Sequence, residues 1–247
     1  MHLNTSEPSE AQWSIYLEVM REALARGIQF AIGGSFAVAS ITGSRPSTND
    51  LDLYILPDDR ERMLAVLADC KLANHFDVQP YDRDSTYRSY KDDAIIDVIW
   101  AMPNRRAEVD VQWISRGSDT DFHGENVKVL PPEELIWTKL YMLQRDRCDW
   151  PDVLNVIQHA AGSLDWDHLV TRLGDDVPLL AAALTVYGWL APDRVAQIPV
   201  LVEILARPEH RGQDSIPRED LLDTRPWFTA GPEPAAAPEP AAAETVE

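Results

Sequence analysis

The stretch from Phe30 to Leu56, FAIGGSFAVASITGSRPSTNDLDLYIL, constrains the fold more than any other part of this chain. It reads as an apolar strand (Gln29 to Ile32), a Gly33-Gly34-Ser35 turn, a small-residue helix (Phe36 to Thr42), a polar loop and a second strand, Leu51 to Leu56. Side chains alternate faces along a strand, so Asp50 and Asp52 point one way while Leu51 and Leu53 point into a core. Two carboxylates that close repel each other, at a cost that rises as water is excluded. A divalent cation removes that cost, and magnesium is commonly held by one or two carboxylates plus substrate phosphates. Gly33 and Gly34 permit tight backbone geometry, the helix that follows can present N–H groups to a phosphate, and Ser35 adds a hydroxyl donor. A phosphate cradle and a metal holder are therefore expected one turn, helix and loop apart.

Taken singly, a Gly-Gly-Ser turn is more often structural and an Asp-x-Asp pair more often a solvated strand face. Their order carries the weight. Apolar strand, Gly-Gly-Ser, short helix, loop and Asp-apolar-Asp-apolar together resemble the DNA-polymerase-β-like nucleotidyltransferase superfamily. The loop Arg45-Pro46-Ser47-Thr48-Asn49-Asp50-Leu51-Asp52 is similar to the Arg-x-x-Thr-x-Asp-x-Asp arrangement of small bacterial members, which brings Arg45 and Thr48 into the candidate nucleotide site. Fourteen residues separate Ser35 from Asp50, a slightly long spacing that the loop can absorb.

The resemblance implies a third acid on a later strand. Asp97, in Ala94–Trp100, is a lone acid in an apolar strand and is costly unless paired or on a metal. Asp110 is the rival, but its neighbours Glu108 and Gln112 suggest a solvated face, so Asp97 is preferred. The three carboxylates are expected to converge on a shared metal pair. A second block, Leu130 to Ile157, resembles the helical segment after the catalytic domain in AbiEii-like and MenT-like nucleotidyltransferases of bacterial toxin–antitoxin systems. Lys139 matches the Lys of that segment, Arg145 or Arg147 its Arg, and Asp149 or Asp152 its Asp. From the helix alone, Lys139 reads as a solvated helix-face lysine; the resemblance weighs equally for a point charge on nucleotide phosphate. A pairing of Arg145 with Asp152 would fix two helices together.

The whole chain of 247 residues then divides into an α/β (α+β) mixed-sheet nucleotidyltransferase domain (1–130), a helical C-terminal domain (131–207), an irregular arm (208–230) and a disordered Pro/Ala/Glu tail (231–247). Strands are expected at Phe76–Tyr81, Ala94–Trp100 and Glu108–Trp113. Helices are expected at Ser9–Ala25, from Pro57 to about Leu72, Glu133–Gln144, Trp150–Ala161, Trp166–Leu173, Val177–Leu190 and Pro192–Ala206. Trp137, Tyr141, Trp150, Trp166 and Trp189 fall at helix-core spacing and read as packing, and His123 as a solvated loop residue. Cys70 and Cys148 have neither disulfide-framework nor zinc spacing. Met1–Glu10 lacks the pattern of a signal peptide and no apolar stretch is long enough to span a bilayer, so a cytoplasmic protein without membrane contact is expected.

The formal charge is −19, four of those charges being the tail residues Glu233, Glu239, Glu244 and Glu247. A field of that sign disfavours broad binding to phosphate backbones and suits a cationic acceptor or a basic partner, although solubility alone would also explain it. What the resemblance implies is transfer of an NMP from an NTP, ATP included, to an acceptor hydroxyl. Two Mg2+ ions would be held by Asp50, Asp52 and Asp97, and pyrophosphate released. The acceptor would be a tRNA, a protein or a cationic small molecule, and an antitoxin or other cognate protein is a possible partner. The competing class is a non-catalytic nucleotidyltransferase-like binding or antitoxin-type protein, against which the intact set of three acids argues.

Overall fold

A computed structural model of the chain describes residues 7–46, 48, 50–144, 147–195 and 198. The chain opens with α1 (Glu10–Ala25), whose N-cap Ser9 accepts from Gln12 N while the Gln12 side chain reaches back, a complete capping box. It continues through β1 (Phe30–Ile32), α2 (Gly34–Thr42), β2 (Asp50–Ile55), α3 (Arg60–Asp69), β3 (Ala73–Asn74), β4 (Thr86–Lys91) and β5 (Ala94–Ile99). Then come α4 (Val111–Ser115), β6 (Ser118–Phe122) and β7 (Glu125–Val129), and finally α5 (Pro132–Leu140), α6 (Trp150–Ala160), α7 (Trp166–Leu173) and α8 (Val177–Leu190).

Among the described residues the strands form one seven-stranded sheet in the order β3-β4-β5-β2-β1-β7-β6. It is mixed: β2 runs parallel to β5 and β1 parallel to β7, while β1/β2, β3/β4, β4/β5 and β6/β7 are antiparallel. Alternation on the central strands sorts side chains between two cores. Leu51, Leu53, Ile55, Ile96 and Val98 join Tyr16, Val19, Met20, Met63 and Leu67 of α1 and α3 in one. Tyr54 and Val129 join Trp113 and the buried faces of α5 to α8 (Ile136, Leu140, Val156, Leu169, Leu184) in the other. Asp50 and Asp52 share the face of Tyr54, so the carboxylates look toward the helical half.

Two expected strands are absent. Residues 76–81 form a turn in which Val78 N and Gln79 N both donate to His75 O, and Pro80 lacks the N–H a ladder requires. Phe76 instead meets Tyr81 edge-on. The expected strand over Glu108–Trp113 is reduced to a single bridge between Ala101 and Glu108. Asp110 then caps α4 by accepting from Gln112 N, a local hydrogen bond that outcompetes β-propensity. The β6/β7 hairpin turns at His123-Gly124, both with positive φ, and the exposed His123 ring lies 3.9 Å from that of Trp13. Trp137, Tyr141 and Trp166 are buried as expected, but Trp189 is 81% exposed at the end of α8. The helix expected from Glu133 stops at Leu140, where Leu143 and Cys148 pair in an isolated bridge. Residues 192–194 form a turn, and most of the helix expected over Pro192–Ala206, the arm and the tail lie outside the described residues. No helix among the described residues is long and apolar enough to cross a membrane.

Candidate active site

Gly33 ends β1 by donating its N–H to Asp52 O at 3.0 Å. Gly34 then adopts φ +57° and starts α2. A Cβ on Gly34 would stand 1.7 Å from Asp52 Oδ2, and one on Gly33 would stand 2.2 Å from Tyr54 Cε2. Asp52 is thus laid directly over the first turn of α2, where unpaired N–H groups and the positive end of the helix dipole lie. Ser35 occupies that turn, half-buried. Thr48 Oγ1 accepts from Asp50 N at 3.1 Å and turns the loop into β2. Arg45 is 87% exposed, pairs with Glu7 at 3.3 Å, and does not reach the cavity described below. Ser47 and Asn49 lie outside the described residues.

Register builds the rest. The parallel pairing of β2 with β5 sets Asp52 opposite Asp97, and the antiparallel pairing of β4 with β5 sets Arg88 opposite Asp97. Arg88, Asp97 and Asp52 therefore form a row across three neighbouring strands on one face, with Asp50 beside it. Arg88 Nη1 donates to Asp97 Oδ2 at 3.1 Å and Nη2 to Asp50 Oδ2 at 2.5 Å. Asp97 is only 7% exposed, and its Oδ1 is buried without a partner. Burial, reinforced by the charge of Asp52 and opposed by Arg88, pushes the Asp97 carboxyl up to about 8. Burial and the Asp50 charge push Asp52 up to about 6, against the pull of Lys139, Arg147 and Arg88.

Asp110 stands apart from this row. It caps α4 and takes a bidentate fork from Arg172 of α7, at 2.5 and 2.9 Å. Lys139 is buried rather than solvated: Nζ donates to Asp149 Oδ2 at 2.9 Å and to Asp152 Oδ2 at 2.8 Å. Arg147 donates twice to Asp149, at 3.1 Å each. Burial pushes the Asp149 carboxyl up, but the Arg147 hydrogen bonds and the Lys139 charge outweigh it and hold it below the usual range. Asp152 is thus paired with Lys139, while Arg145 lies outside the described residues. Between Asp52, the member of the row that lines it, and this clamp lies a cavity of about 190 Å³, with Gly34 and Asp52 on one wall and Lys139, Arg147 and Asp149 on the other. Tyr54, Ile99, Met102 and Met142 supply its apolar lining.

Among the described residues no three His, Cys, Asp or Glu side chains are gathered closely enough to ligate one ion as they stand. The Arg88 guanidinium lies between two of the three acids. The donor set nonetheless suits a cation. Two carboxyls with raised proton affinity face each other in register, and one buried oxygen has no partner. Arg88 was not anticipated from the sequence, although one signal was there. The turn at Asp92-Asp93 pairs Lys91 with Ala94, and counting back from it sets Arg88 against Asp97.

The mixed sheet with helices on both faces is an α/β fold of nucleotidyltransferase-like type. The solved antigenic nucleotidyltransferase-like protein from Paracoccidioides brasiliensis matches with a TM-score of 0.51 and 19% identity, covering 78% of this chain and 94% of that one. The antibiotic-resistance factor ANT(2'')-Ia matches at TM-score 0.47 and 19% identity, over 74% of this chain and 97% of that one. The lincosamide antibiotic adenylyltransferase LnuA matches at 0.42 and 13%, over 61% and 98%. No family model and no curated protein matches the sequence.

Proposed function

We propose that this chain is a magnesium-dependent nucleotidyltransferase that moves an NMP from an NTP to an acceptor hydroxyl and releases pyrophosphate. The observation that carries the reading is the facing pair Asp52–Asp97, laid over the Gly34 turn, with a buried Asp97 oxygen left without a partner. Asp50, Asp52 and Asp97, rather than Asp110, would hold the metal. Bound magnesium would supply Lewis-acid stabilisation to the attacking and leaving oxygens. The Gly34 and Ser35 N–H groups would take the triphosphate tail, and Lys139, fixed by Asp149 and Asp152, would bring a positive charge to the cavity wall. With the metal bound and its own proton displaced, the Asp97 carboxylate would help take the acceptor hydroxyl's proton. The freed oxygen pair attacks the α-phosphorus, the bond to the bridging oxygen of the β-phosphate breaks, and that oxygen leaves with pyrophosphate.

The buried Lys139–Asp149–Asp152 clamp fits the AbiEii-like and MenT-like resemblance of residues 130–157. The net charge of −19 favours a cationic small molecule or a protein as acceptor over tRNA. A non-catalytic binding or antitoxin-type protein is the second reading. One observation favours it: Arg88 is ion-paired with both Asp50 and Asp97. Incubation with labelled ATP, GTP, CTP and UTP, magnesium, and tRNA, protein or aminoglycoside acceptors separates the two. Label transfer that disappears in Asp52→Ala supports the enzyme. No transfer to any acceptor, with divalent-cation affinity unchanged in that variant, rejects it.

A further inference from the structure

Arg88 occupies a position that the transfer chemistry does not require, and its contacts are costly. Its fork holds one oxygen of Asp50 and one of Asp97, the two acids flanking Asp52 in the row. Its own Nε is buried without an acceptor, and Asp97 Oδ1 is buried without a donor. The arrangement therefore leaves one donor and one acceptor unsatisfied in a site largely closed to water, each carrying a desolvation cost. Acids set side by side on neighbouring strands disfavour one another's charge, and a guanidinium forked between two of them offsets that cost. It takes one oxygen of each acid and sets a positive charge between the two carboxylates, where a divalent cation shared by Asp50 and Asp97 would have to come.

We propose that Arg88 is an internal counter-cation, a positioning residue that holds Asp50 and Asp97 in the metal-free protein and is displaced from them when a divalent cation binds. Metal uptake is then an exchange. The apparent affinity for the ion is reduced by the fraction of molecules in which Arg88 occupies the carboxylates. The inference rests on the metal-site reading above, and its test distinguishes the two.

Mn2+ binding to the full chain is measured from the loss of the free-ion EPR signal, in wild type, Arg88→Gln, Arg88→Lys and Asp52→Ala, without nucleotide. Thermal melts are recorded with chelator and with saturating Mn2+. Arg88→Gln should bind Mn2+ roughly tenfold tighter or more than wild type, since its sites are no longer occupied by the side chain. It should also melt below wild type in chelator, with the difference narrowing in Mn2+. Arg88→Lys keeps the charge but not the fork, so it should fall between the two, and it carries the test should Arg88→Gln fail to fold. Affinity in the Arg88 variants equal to or weaker than wild type overturns the exchange while the metal site stands. No Mn2+ binding that depends on Asp52, in wild type or variants, overturns the metal site and the exchange with it.

Discussion

At the residue level, Gly34 is under two independent constraints. Its φ of +57° costs any L side chain about 1–2 kcal/mol, and a Cβ there would overlap Asp52 Oδ2. Gly34→Ala should therefore lower stability by at least about 1 kcal/mol in urea denaturation. Nucleotidyl transfer should fall by far more than that loss explains, because the methyl displaces the carboxylate itself. Asp97 makes a prediction of a different kind. Its folded carboxyl is pushed up to about 8 and that of Asp52 to about 6, whereas an unfolded Asp titrates near 3.9. Between those limits the metal-free folded state holds protons that the unfolded chain has released, so stability falls as pH rises. The urea midpoint in chelator should drop from about pH 5 to about pH 8, and Asp97→Asn should flatten that slope. A steeper slope in Asp97→Asn than in wild type would contradict the assignment of these protons.

At the level of elements, α5 and α6 are tied together at the site through Lys139, Asp149 and Asp152, while Arg145 of the expected Arg145–Asp152 pair lies outside the described residues. Lys139 of α5 reaches Asp149, the N-cap position of α6, and Asp152 in its first turn, and burial makes its removal expensive. Lys139→Met should cost about 3 kcal/mol, the low end for breaking a buried ion pair, because Asp152 is about a third exposed and Arg147 still serves Asp149. Equilibrium denaturation reads this directly, and a Lys139→Met/Asp152→Asn double variant should recover part of the loss. The elements that were legible in the sequence are those whose periodicity agrees with their environment. α1, α6, α7 and α8 carry apolar faces that pack into a core, and β2 and β5 carry alternation or an apolar run. β4 and β6 escaped notice because TYRSYK and SDTDF are polar edge-side strands, held in place by pairing rather than by burial. The Gly33-Gly34 turn and the Asp50/Asp52 pair could be read from order and strand alternation, whereas Asp97 follows from the resemblance and its apolar strand. Arg88 could not be seen without β4, and the buried state of Lys139 could not be seen without the fold of residues 141–149.

For the molecule as a whole, the sheet separates two apolar clusters, and the carboxylate row sits on the side that packs against the helical half. The cavity at Asp52 is therefore lined by both the strands and α5. Most cationic side chains near the site are already committed to acids: Arg88 to Asp50 and Asp97, Lys139 to Asp149 and Asp152, Arg147 to Asp149. Around them lies a chain with a formal charge of −19. On the proposed function, the approach of a free triphosphate would thus be opposed at long range, and only at close quarters would fixed N–H groups and the Lys139 ammonium attract it. Diffusional encounter should be faster for the magnesium complex of the nucleotide, which carries less negative charge, than for the bare anion. Screening by added salt, over a Debye length of about 10 Å at 0.1 M, should then accelerate association rather than slow it. Stopped-flow measurement with a fluorescent nucleotide would reveal the sign: an association rate that climbs with ionic strength marks an acidic gatekeeper, the reverse of the basic funnels that draw nucleic acids in.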